Sequence, residues 1–77
     1  MNEQYIVHDG DYIYGYGTNL IGLSQHADDL QTIYENAFDV QRCTVALALQ
    51  VETEGGFITW CQINGTACTQ AEYAEAK

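Results

Sequence analysis

Cys43-Thr44-Val45-Ala46-Leu47-Ala48-Leu49-Gln50-Val51-Glu52 is the stretch that decides how the chain reads. Cys43, Val45, Leu47, Leu49 and Val51 alternate with Thr44, Ala46, Ala48, Gln50 and Glu52. A period of two puts one set on a buried sheet face and the other toward solvent. The spacing therefore predicts a long, half-buried strand. Gly55-Gly56 then reads as a hairpin turn, with residues 57–63 returning alongside. A two-residue turn sets Trp60 beside Val51, Ile58 beside Thr53, and Glu52 opposite Thr59 on the outer face.

Working outward toward the start, Ala27, Leu30, Ile33, Tyr34, Ala37 and Phe38 recur at three- and four-residue steps. That is an amphipathic helix of about four turns over 24–39, with Ser24 as its N-cap. Asp28 and Asp29 fall in its first turns, where the helix dipole favours negative charge. Asp28, Glu35 and Asp39 follow one another at i, i+7 and i+11, so they form one acidic stripe.

Before the helix, Tyr5-Ile6-Val7-His8 and Asp11-Tyr12-Ile13-Tyr14-Gly15-Tyr16 flank Asp9-Gly10. Asp-Gly between two β-rich runs predicts a hairpin, because its tight turn needs positive φ at both central residues. The implied register pairs Val7 with Tyr12 and Tyr5 with Tyr14. Tyr5, Val7, Tyr12, Tyr14 and Tyr16 then share one face, and Ile6, His8, Asp11 and Ile13 the other. The alternation leaves open which face is the core.

After residue 63, Asn64-Gly65 is a turn. For residues 66–77 two features stand side by side. Residues 66–69 fit a short edge strand. Thr69-Gln70-Ala71-Glu72 matches a capping box opening a short helical tail. Together these predict one α+β domain over 1–77, a two-layer sandwich. Its antiparallel sheet has about four strands in the order ββαββ, with one helix packed on one face.

Charge narrows the function. Eleven acids stand against Arg42 and Lys77, a formal net charge of −9 over 77 residues. Binding nucleic acid through its phosphates needs several cations, so direct nucleic-acid binding is excluded as an expectation. A basic protein partner suits this field better. The 47% hydrophobic and 12% aromatic content argues for a folded chain rather than a disordered acidic tail. No apolar run reaches the ~18 residues of a membrane span, and the start lacks the basic-then-apolar pattern of a signal peptide. The expectation is a cytoplasmic protein whose three cysteines stay reduced. Asn64-Gly65-Thr66 matches a glycosylation acceptor, but in that setting it reads as a turn.

Catalytic constellations are not evident. His8, His26, Cys43, Cys61 and Cys68 form none of the closely spaced pairs of a metal site. A thiol nucleophile needs a lowered pKa and a nearby base, and a strongly negative chain works against the former. Gly15-Tyr16-Gly17 lacks the lysine and spacing of a phosphate loop. No enzyme activity, metal or cofactor is expected.

Two sets of residues suit contact. Asp28, Glu35 and Asp39, with Glu52 and Glu54 on the second hairpin, are candidate carboxylates for pairing with Arg and Lys. Duplex DNA carries a charge every ~1.7 Å of axis. Helix positions four apart lie about 6 Å apart, near the spacing of successive phosphates on one strand. The tyrosines, Tyr12 and Tyr14 foremost, supply apolar area with a hydrogen-bonding tip, as interfaces favour.

The plan of hairpin 5–16, helix 24–39 and hairpin 43–63, in a short acidic chain, resembles the small phage-encoded anti-CRISPR proteins. The likeness is closest to inhibitors of type I surveillance complexes. It covers most of the chain, but it is a likeness of plan, because these inhibitors share no common motif. No residue is carried over from them. The resemblance implies an inhibitor, in the cytoplasm of an infected bacterium, that covers a basic DNA channel or the site of protospacer-adjacent-motif recognition on a Cas subunit. The alternative is a homodimeric assembly module that uses a tyrosine-rich sheet face or an edge strand. The expected state is therefore monomer or homodimer.

Overall fold

The computed structural model describes residues 3–76. Its elements are β1 (Gln4–His8), β2 (Ile13–Gly17), α1 (Leu20–Tyr34), β3 (Asp39–Cys43), α2 (Val45–Glu54), β4 (Cys61–Ile63), β5 (Thr66–Cys68) and α3 (Gln70–Ala76). The strands make one open sheet in the order β2-β1-β3-β5-β4. Every neighbouring pair is antiparallel except β3 with β5. The α+β class stands. The count is five strands and three helices, and the helices cover both sheet faces rather than one.

Residues 45–54 are a helix, not the strand that the alternation predicts. Thr44 Oγ1 accepts the Leu47 N–H at 3.2 Å, which is an N-cap. The buried residues are Leu47, Ala48 and Val51, a helical spacing, while Val45 and Leu49 face outward. Two of the five residues in the supposed polar set are alanine, the best helix former, so the period of two marked little contrast between faces. Gly55 caps the helix at φ 89°, so Gly55-Gly56 is not a hairpin turn and Trp60 does not pair with Val51. The second hairpin is instead β4–β5 around Asn64-Gly65. Both turn residues have positive φ, the type I′ requirement. Residues 66–68 lie between β3 and β4, so they are not an edge.

Helix α1 starts earlier than predicted and ends earlier. Asn19 Oδ1 accepts the Gly22 N–H at 3.0 Å and caps it, not Ser24. Glu35 takes the left-handed conformation at φ 57° and gives its N–H to Gln31 O. Asp28 and Asp29 therefore sit in mid-helix rather than in the first turns.

The first hairpin exists with a shifted register: Ile6 faces Tyr16, Val7 faces Gly15 and His8 faces Ile13. Asp9 Oδ1 accepts the N–H groups of Asp11 and Tyr12 at 3.0 and 2.9 Å. This local preference of aspartate closes a four-residue loop instead of a two-residue turn. Tyr14 is the extra residue of the resulting bulge, which re-aims its side chain.

Each sheet face has its own core. Ile6, Ile13, Cys43 and Ala67 pack under Leu47, Ala48 and Val51 of α2. Val7 and Phe38 pack under Ala27 and Leu30 of α1, with Tyr14, Leu23 and Val40 at the margin. Ile6 and Val7 are successive residues of one strand, so the two cores lie on opposite faces.

The tail carries the predicted capping box. Glu72 N–H donates to Thr69 Oγ1 at 3.1 Å, and Thr69 N–H donates back to Glu72 Oε1 at 3.0 Å. The same oxygen accepts the Thr44 hydroxyl at 2.6 Å, which ties the starts of α2 and α3 together.

Candidate interaction surface

Gly56 sets the geometry of the aromatic surface. A Cβ there would lie 1.8 Å from the Ile13 carbonyl oxygen, so only glycine allows this approach. Gly56 O accepts the Ile13 N–H at 3.0 Å and pins the chain after α2 to the start of β2. Phe57 is thereby held beside Tyr12, with ring centres 5.8 Å apart. Tyr12 meets Tyr14 edge-on at 4.9 Å. Tyr14 in turn meets Phe38 at 4.9 Å and Tyr34 at 5.8 Å. The result is a row of rings from Phe57 through Tyr12 and Tyr14 to Tyr34, drawn from three separate segments. Phe57 is 85% exposed and Tyr34 52%, while Phe38 is buried and anchors the row.

Carboxylates border the row. Asp9 accepts the Tyr14 hydroxyl at 3.4 Å. The Tyr12 N–H, then that of Asp11, hold the Asp9 carboxyl below the usual range, so it is ionised at neutral pH. Burial, then the Asp9 charge, pushes the Tyr14 phenol up, so it stays a neutral donor. Asp11 precedes Tyr12, Glu35 follows Tyr34, and Glu54 ends the helix that leads to Phe57. Arg42 is held by Glu3 at 3.0 Å, and Lys77 lies outside the described residues.

The expected acidic stripe is not one surface of one helix. Asp28 is exposed on α1, Glu35 is the cap beyond its end, and Asp39 opens β3 opposite His8. The spacing argument fails because the helix stops at Tyr34. Glu52 and Glu54 are exposed on α2 rather than on a hairpin, and α2 covers the sheet face opposite α1. Asp28 and Glu52 therefore stand on opposite sides of the sheet. Tyr12 and Tyr14 are brought together. Tyr34, which the helical spacing assigned to the buried face, and Phe57, which it left unassigned, join them. The Gly55-Gly56 pair before Phe57 was the available signal, since two glycines end a helix and permit close approach.

Burial, then the Glu72 charge, pushes the Cys43 thiol up to about 11. Burial and the same carboxylate raise Cys68 as well. Both thiols stay protonated at neutral pH and are poor nucleophiles. No cluster of metal-ligating side chains occurs among the described residues. Nor is any helix among them long and apolar enough to cross a membrane. Comparisons of the chain with family models, with curated proteins and with solved structures give no match.

Proposed function

We propose that this chain is an acidic inhibitor that docks on a basic, nucleic-acid-handling protein and covers its nucleic-acid site. The observation that carries this reading is the row of exposed rings bordered by carboxylates on a chain of net charge −9. Rings of this kind supply the desolvated anchor of an interface. The surrounding charge speeds encounter with a basic surface and sets partner choice. The anti-CRISPR resemblance adds a candidate partner, a Cas subunit with a basic DNA channel or motif-recognition site. Carboxylates on several elements, rather than a ladder along one helix, would then take the place of phosphates there.

The test is capture by the tagged protein from lysates containing CRISPR–Cas complexes and other nucleic-acid machinery. Retention of a basic nucleic-acid-binding protein, released by high salt and displaced by duplex DNA, supports the reading. A partner that keeps its DNA affinity when the acidic chain is bound contradicts it.

The alternative is self-association. It is favoured by the edge position of β2, which the chain after α2 covers only at Ile13, and by Ile21 and Ile33 of α1, which are 75% and 69% exposed. Two chains of the same strong charge repel, and salt screens that repulsion. A homodimer therefore grows with added salt, whereas the complex with a basic partner weakens. Solution mass over a salt series separates the two.

A further inference from the structure

Strand β4 lies at an edge of the sheet, bonded to β5 on one side only. The chain leading into it, residues 57–60, makes no backbone hydrogen bond to another described residue. Residues 57–63 read Phe-Ile-Thr-Trp-Cys-Gln-Ile, without the proline or charge that normally guards an edge. Unguarded edges of this kind accept an added strand from another chain.

Beside this run lies an open groove of about 680 Å³, lined by Gly10, Asp11 and residues 57–62. Trp60 lines it, held edge-on by the His8 ring at 4.7 Å. His8 is itself fixed. The Gly10 N–H donates to Nδ1 at 3.1 Å, so the proton sits on Nε2, which donates to Gln41 Oε1 at 2.8 Å. Gln41 Nε2 then donates to Gly65 O at 3.0 Å. The groove is thus braced before anything binds, which lowers the cost of binding. Asp11 is the charged side chain among its lining residues.

We infer that the groove takes an extended segment bearing Arg or Lys, which pairs with the unbonded backbone of residues 57–60 and sets its cation against Asp11. This rests on the proposed binding of a basic partner and names how that partner is held. Backbone pairing supplies register, Phe57 and Trp60 pack against alternate side chains, and Asp11 selects positive charge.

The probe is a blocked hexapeptide of alternating arginine and valine, titrated into isotope-labelled protein. Trp60 is the sole tryptophan, so its emission reports the groove directly. Expected are emission and amide shifts confined to Asp11 and residues 57–63. Phe57→Ala, which removes an 85% exposed ring and so spares the fold, weakens the peptide about tenfold. Asp11→Asn weakens it up to about fivefold. Methylating alternate peptide amides abolishes binding. Shifts spread over the acidic surface, equal affinity for the methylated peptide, or no binding at all would overturn the inference. If a basic protein is still captured at full strength by Asp11→Asn, which leaves the ring row intact, the groove is wrong while the proposed function stands. Peptide binding without such capture sinks the proposed function and spares the groove.

Discussion

The two sheet faces are built from neighbouring residues of the same strands, yet they do different work. Under α2, Leu47 and Ile6 are fully buried among Ile13, Cys43, Val51 and Ala67. Under α1, the buried set is smaller, and its margin opens through Tyr14 into the ring row that reaches solvent at Tyr34. The difference teaches that a small domain can concentrate stability on one face and carry exposed aromatic surface at the rim of the other.

The largest expected effect tests that asymmetry. A chain of this length has a stability on the order of 4–12 kcal/mol. Leu47→Ala should cost about 4 kcal/mol and Leu30→Ala about 2–3 kcal/mol, within the range for buried leucines. Urea unfolding of both variants checks this, and equal losses would break the comparison. Gly56→Ala comes next, at about 1–3 kcal/mol, because its Cβ would collide with the Ile13 carbonyl. It should also move Phe57 off Tyr12, which near-ultraviolet dichroism reads.

A smaller effect concerns the joint between α2 and α3. Burial raises the Glu72 pKa, but bonds from the Thr44 hydroxyl, then from Thr69, outweigh it and leave the carboxyl below its usual range. A lowered folded pKa adds stability above the unfolded value of about 4.3, and that stability is lost as pH falls through the folded value. The melting-temperature gap between wild type and Glu72→Gln should therefore be constant above about pH 5 and close on further acidification. The raised Cys43 thiol works at the other end. Its contribution is full below about pH 8.5 and is lost as pH rises toward about 11. Cys43→Ala should flatten that alkaline decline. The smallest effect on stability is expected from Tyr34→Ala and Phe57→Ala, within about 0.5 kcal/mol for exposed positions. These same changes should be the most damaging to partner binding.

The sequence was most legible where one local interaction decides the structure. The Thr69–Glu72 capping box formed as spaced, and Ala27 and Leu30 kept their helical face, although Ile33 of the same set is exposed. It misled where two periods fitted equally well. In residues 43–52, alternating apolar residues with alanine between them satisfy a strand and a helix alike, and the Thr44 cap tips the balance. Asp9-Gly10 and Asn64-Gly65 carry similar turn signals, but only the second makes the two-residue turn. The Asp9 carboxylate takes two N–H groups and lengthens the first loop. Of the ring row, Tyr12 and Tyr14 were legible as a pair on one hairpin. The place of Phe57 was not, because it depends on a backbone contact between Gly56 and Ile13, distant in sequence.

The most direct test of the central claim compares wild type with the Tyr34→Ala, Phe57→Ala double variant. Both are immobilised and exposed to lysate with nucleic-acid machinery across a salt series. The account predicts that wild type retains a basic nucleic-acid-binding protein at low salt, and that the folded double variant loses it. Equal retention by both would contradict the account, because the charge alone, and not the ring row, would then be binding.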